Sequence, residues 1–190
     1  MDRDRMDNTP SWPHPYVRLA REAVARHLSG RSLPASGLEI DSDASLWDIE
    51  RACFVSIKTL GGNLRGCIGT IAPTQPAIDW EIVTNAISSA TRDPRFPPVA
   101  MGELMGVKFS VDVLGTPEVV GSRDKLDPKI WGVIVSKGTL RGVLLPDLEG
   151  VDTVDDQLRI AASKAGIYGL TGARIERFRV DRYTEGGVGS

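Results

Sequence analysis

Cysteine and histidine each occur only twice in this chain, and aromatic residues make up 6% of it. Two cysteines, Cys53 and Cys67, cannot build a disulfide framework, and free thiols fit a reducing cytoplasm. His14 and His27 have no ligand spacing with the cysteines, so no metal site is expected. Neither sign of charge is in excess: 23 Lys and Arg face 25 Asp and Glu, for a formal net charge of −2. That removes the electrostatic ground for binding nucleic acid or an anionic membrane. The tryptophans at 12, 47, 80 and 131 are scattered rather than interleaved with a basic stripe, which also speaks against nucleic acid. No apolar run approaches the roughly 20 residues of a membrane span. The opening "MDRDRMDNTPSWPHP" is charged and then Pro-rich, with no apolar core, unlike a secretory signal. Phosphate loop, nucleophile elbow and dinucleotide fingerprint are all missing, and no cofactor is expected.

What is present is periodic. At 190 residues the chain suits one domain that buries roughly 70% of its unfolded surface. Residues 1–14 read as a flexible arm, 15–184 as a single domain and 185–190 as a flexible tail. Pro15 suits a first helical turn. Val17, Ala20, Val24 and Leu28 form one helical stripe, and Gly30 supplies a stop. Residues 31–44 are rich in Ser, Gly, Pro and Asp and read as a connection; 45–51 allows a short helix. Cys53, Val55 and Ile57 alternate with Phe54, Ser56 and Lys58, as a strand does. "GGN" at 61–63 is turn chemistry, so Cys67 falls on the second strand of a hairpin. A helix follows with the stripe Ile78, Ile82, Ala86 and Ala90, ended by "DPRFPP". "VKFSVDVL" at 107–114 alternates again. The second half repeats this order: strand, turn and strand over 131–146, a helix to about Lys164 opened by Thr153 and Asp156, and a strand over 174–183. "GNLRGCIGT" also aligns with "GTLRGVLLP" 76 residues later. These observations predict an α+β fold in which hairpin–helix–strand units, at about 52–114 and 131–183, build a curved, barrel-like mixed sheet with flanking helices.

The alignment sets Cys67 against Val143. The shared Leu-Arg-Gly is therefore explained by the fold, whereas the thiol is not. Strand alternation puts Arg65, Cys67 and Gly69 on one face, with Arg65 about 7 Å from Cys67. A unit charge at that distance is worth about 0.6 kcal/mol in water and about 2.4 kcal/mol at an effective dielectric of 20. Arg65 alone thus favours a thiolate modestly, and strong activation needs a second donor or cation. Gly66 and Gly69 suit a bulge, a close backbone or a close ligand. On the residues alone, packing is the favoured reading, since free cysteine is among the most buried residue types. Cys53, on an apolar strand without a charged neighbour, carries less interest. A Cys–His dyad would require the first helix to pack on the hairpin.

"TRDPRFPP" forms a second constellation. Its prolines restrict themselves and the residues before them. Such a loop holds Asp93, Arg95 and Phe96 at little entropic cost, either as an anion-contacting lip or as a helix terminator with Phe96 plugging the core. Asn85, on the preceding helix, is either exposed or a hydrogen-bond partner of the hairpin.

"LRGCIGT", a helix ending in "NAISSATRDPRFPP", and "RGVLLP" appear in this order and spacing. The combination resembles the AMMECR-one domain family, protein A of the AmmeMemoRadiSam system, over about 16–183. The resemblance implies an α+β fold with repeated strand–helix units. It also implies action beside a MEMO-like protein and a radical S-adenosylmethionine protein in a modification pathway. The chain has no three-cysteine cluster motif and is not itself the radical enzyme. By position, the resemblance singles out Arg65, Gly66, Cys67 and Gly69, then Asn85, Asp93, Arg95 and Phe96, then Arg141. Two functional readings follow. In one, Cys67 is a nucleophile or acceptor supported by Arg65 and Asp93, and Gly66, Gly69, Asn85, Arg95, Phe96 and Arg141 hold a substrate. In the other, the same surface is a non-catalytic adaptor or ligand-binding module.

Overall fold

The computed structural model describes residues 13–185 and 187–189. The expected arm lies outside the described residues up to position 12. Pro15–Leu28 forms α1, which starts where the missing proline N–H costs nothing. His14 Nδ1 accepts from the Tyr16 N–H at 3.3 Å. The Ser29 hydroxyl closes the helix by donating to the Ala25 carbonyl, and Gly30 leaves it at φ 67°. Tyr16, Val17, Leu19, Ala20, Ala23 and Val24 are buried. Short 3-10 turns at Gly37–Glu39 and Ala44–Leu46 fill the connection that follows.

The next elements are β1 (Cys53–Thr59), β2 (Leu64–Gly69), α2 (Ile78–Thr91), β3 (Val107–Leu114) and a two-residue β4 (Glu118–Val119). They are followed by β5 (Gly132–Lys137), β6 (Leu140–Leu144), α3 (Val154–Lys164), β7 (Arg174–Phe178), β8 (Val180–Thr184) and β9 (Gly187–Gly189). One antiparallel sheet runs β2-β1-β3-β8-β9 and a second runs β4-β7-β5-β6. The α+β class and the twofold use of one unit are as expected: β2-β1-β3 with α2 repeats as β6-β5-β7 with α3. The sheets do not close into a barrel. Among the described residues, no helix is long and apolar enough to cross a membrane.

The shared glycine explains why both units close in the same way. A Cβ on Gly66 would lie 2.2 Å from the Ser89 carbonyl oxygen of α2, and one on Gly142 would lie 2.0 Å from the Ala161 oxygen of α3. Each helix therefore rests its backbone directly on the second strand of its hairpin, which only glycine permits. The amides match as well. Asn85 Nδ2 donates to the Cys53 carbonyl at 3.0 Å, and Gln157 Nε2 to the Trp131 carbonyl at 2.7 Å. Both side chains are buried.

The two hairpins nonetheless differ. Ile57 pairs with Gly66 and Lys58 with Leu64, so the register breaks at Arg65 in a β-bulge. In the second hairpin Val135, Ser136 and Lys137 pair with Gly142, Arg141 and Leu140 without interruption. A bulge re-aims the side chain it displaces.

Two apolar cores lie beneath the sheets. The larger joins α1, α2, β1 and β3, including Ile57, Ile82, Phe109 and Val111; the smaller joins α3 to β5 around Val133, Val135 and Leu158. Ala52, Leu114, Ile134 and Phe178 connect the sheets, with Phe54 and Val143 packed against them. Residues 187–189 pair with β8, and Glu185 forms an ion pair with Arg21 of α1.

Candidate functional site

Cys67 lies directly opposite Ser56 in the β1–β2 pairing. Alternation places both side chains on the sheet face away from α2, because Gly66 faces the helix. Cys67 is half-buried, and its sulfur accepts from the Ser56 hydroxyl at 3.2 Å. Its main chain is held at both polar groups. The N–H donates to Asp93 Oδ2 at 2.8 Å, and the carbonyl accepts from Arg95 Nη2 at 3.2 Å.

Asp93 organises this corner. It is 4% exposed and also accepts from the Arg95 backbone N–H at 3.1 Å, from Nε at 2.9 Å and from Nη2 at 2.7 Å. The Arg95 side-chain hydrogen bonds hold the Asp93 carboxyl far below the usual carboxylate range, against the opposing effect of burial; the Cys67 and Arg95 amides add to this. Asp93 in return raises the Arg95 guanidinium above its usual value, and the nearby Cys67 side chain contributes to that rise. Arg95 lies over the Phe96 ring, 5.6 Å from its centroid, and its side chain is 55% exposed. The loop thus brings Asp93 and Arg95 to the Cys67 main chain, with the Phe96 ring beneath the Arg95 guanidinium. Asp93 positions Arg95 rather than facing an open site itself.

Arg65 is placed otherwise than expected. The bulge turns it from the thiol toward the segment after α2. Nε and Nη2 grip Glu103 at 2.9 and 3.1 Å, while Nη1 and Nη2 donate to the Pro97 and Pro98 carbonyls at 2.9 and 3.3 Å. The Arg65 hydrogen bond lowers the Glu103 carboxyl below its usual value, helped by the Ala100 amide. Arg65 is therefore a clasp on residues 97–103, and the cation beside Cys67 is Arg95.

Other expected site residues take structural positions. Gly66 accommodates α2. Gly69 sits opposite Phe54, whose ring fills the space a Cβ would need, at 2.3 Å. Asn85 is the buried hairpin partner already described, on the far side of the strand from the Cys67 sulfur. Arg141 belongs to the second sheet, exposed on β6, with Nη2 3.9 Å from Glu176. Neither histidine reaches the thiol: His14 stacks on Tyr183 at 4.0 Å, and His27 is exposed near the end of α1. Cys53 is fully buried, and its burial pushes the thiol up to about 12.

Ser56 and Glu103 were not singled out by the sequence reading. Ser56 was discoverable, because it alternates with the core residues of β1 and needed only the hairpin register to meet Cys67. Glu103 carried no signal, since its partner depends on the bulge. Among the described residues no group of three or more His, Cys, Asp and Glu side chains is placed to hold a metal ion. Two surface clefts, of about 210 and 250 Å³, are lined by neither Cys67 nor the 93–98 loop.

The comparisons agree with this architecture. The family model described as AMMECR1 matches residues 17–185. A protein of Thermotoga maritima is 47% identical over 175 residues, covering 90% of this chain and 97% of its own length. Protein CA_C1420 of Clostridium acetobutylicum is 44% identical over 184 residues, covering 96% of this chain and 38% of its own longer one. The crystal structure of uncharacterized protein PH0010 from Pyrococcus horikoshii superposes with a TM-score of 0.79 at 29% identity, over 93% of this chain and 92% of that one.

Proposed function

The chain belongs to the AMMECR1 family, and on that premise we propose that it serves a modification pathway in the cytoplasm through covalent thiol chemistry at Cys67. Its partners in this reading are a MEMO-like protein and a radical S-adenosylmethionine protein. One observation supports the chemistry above the rest: a half-buried sulfur beside a hydroxyl donor and an arginine that a buried carboxylate holds in place. Such an arrangement suits a nucleophilic thiol. The thiol gives its proton to water, the sulfur pair forms a bond to an electrophilic carbon, and the leaving group departs with the former bonding pair. Ser56 stabilises the anionic sulfur. Arg95 offers Nη1, which finds no protein acceptor among the described residues, to a negative charge on the partner molecule. Asp93 already accepts four hydrogen bonds and serves to orient, not to take a proton.

A second reading is a non-catalytic adaptor. It is favoured by the commitment of Arg65, Gly66, Gly69 and Asn85 to internal contacts. Iodoacetamide labelling followed by mass spectrometry separates the two. Thiol chemistry expects Cys67 to react at least tenfold faster than buried Cys53. It also expects Arg95→Gln to slow Cys67 by about threefold to tenfold, and Arg65→Gln to leave the rate within about twofold. Equal sluggishness of both thiols in the folded protein leaves only the adaptor. The adaptor also predicts that Cys67→Ser keeps partner binding and the cellular phenotype.

A further inference from the structure

A second feature stands apart from the thiol. On the same face of the first sheet, three strands over from Cys67, Arg182 borders a cleft of about 210 Å³ whose other walls are Lys129, Ile130, Pro146, Asp147, Arg179 and Val180. Three cations and one carboxylate line it. The acids that pair two of the cations approach from outside the lining: Asp112 reaches Arg182 Nε at 2.7 Å, and Asp152 reaches Lys129 at 2.7 Å. Arg182 leaves Nη1 without a protein acceptor among the described residues. Arg179 forms no ion pair among the described residues. It instead lies 4.1 Å from the centroid of the Trp131 ring, an arrangement that fixes a guanidinium while leaving its edge free to donate.

The mouth of the cleft is pre-formed. The Asp147 N–H donates to the Pro128 carbonyl at 2.8 Å, which ties the two loops together. Asp147 adopts φ 52°, a left-handed conformation that a non-glycine residue rarely holds. Aspartate is among the few side chains that tolerate this conformation, and the Pro128 contact holds it there. Below the charged rim the walls are apolar: Ile130, Pro146 and Val180. Arg179, free of any ion pair among the described residues, the open Nη1 of Arg182 and an apolar wall together match one kind of molecule. We propose that this cleft binds a small organic anion, its phosphate or carboxylate held by Arg179, Arg182 and Lys129 and its apolar body resting on Ile130 and Val180.

The test is a titration of the ¹⁵N-labelled full chain followed by amide chemical shifts, with phenyl phosphate, benzoate and phenol as probes. Saturable shifts confined to residues 129–131, 147 and 179–182 are expected with phenyl phosphate or benzoate, and none with phenol. The arm that binds identifies the anionic group. Arg179→Gln and Lys129→Gln are expected to weaken binding at least fivefold each, while Lys137→Gln, on the far end of β5, leaves it unchanged. The spectra outside the cleft report whether each variant is folded. Three outcomes would overturn the site: shifts scattered over the basic surface without saturation, equal binding of phenol, or undiminished affinity in both cleft variants.

Discussion

Asp93 accepts one main-chain hydrogen bond from β2 and three from Arg95, so a single carboxylate joins the end of α2 to the strand carrying the thiol. Its carboxyl is held well below the usual range, chiefly by Arg95. The folded-state value is depressed, so this stabilisation is complete above the unfolded carboxylate value, about 3.9, and is lost as pH falls below it. Asp93→Asn is expected to cost about 1.5–3 kcal/mol at pH 7, the range for hydrogen bonds to charged groups. Urea denaturation at pH 7, 5 and 3 checks this: the gap between wild type and variant should stay level to pH 5 and narrow by pH 3. A gap that persists undiminished at pH 3 would show that the charge is not what matters. At this scale the sequence was readable for Asp93 and Arg95, because prolines on both sides stiffen the loop that presents them. It was not readable for Arg65. A one-residue bulge overrode alternation there, and its trace in the sequence, a turn two residues longer than its counterpart, identifies no bulged position.

The hairpin-and-helix unit shows why a short match can carry a fold. Leu-Arg-Gly recurs because the third residue must be free of a Cβ where the helix backbone comes to rest. Gly66→Ala and Gly142→Ala are each expected to destabilise by about 1–3 kcal/mol, the usual cost of overpacking. Gly102→Ala, whose added methyl meets nothing within 4 Å, serves as the neutral reference. Equilibrium denaturation of the three variants measures this, and a Gly66→Ala protein as stable as wild type would contradict the close approach. The strands and helices of both units were legible from periodicity, since each buries one face. The division of the strands between two sheets was not, because that depends on β8 joining β3 rather than continuing the sheet of β7.

Across the whole molecule, distant parts of the chain meet at Arg21. Its guanidinium reaches Glu185 through Nε at 2.5 Å and Nη2 at 2.9 Å, the Leu104 carbonyl at 2.8 Å and the Val107 carbonyl at 2.6 Å. Nothing in the composition around Glu185 announces this, because its partner is an arginine 164 positions away in sequence. Glu185→Ala is expected to cost about 1–2 kcal/mol and to lower the midpoint of thermal unfolding measurably. An unchanged midpoint would mean the pair contributes nothing in solution.

The hairpin also sets the two sulfurs back to back. Cys53 points into the core on the helix side of the first sheet, and Cys67 points to the opposite side. A covalent bridge between them would have to pass through the sheet, which disulfide geometry forbids. Under oxidative stress this protein cannot protect its half-buried sulfur by cross-linking Cys67 to Cys53. Any disulfide formed there must draw its second half from another molecule.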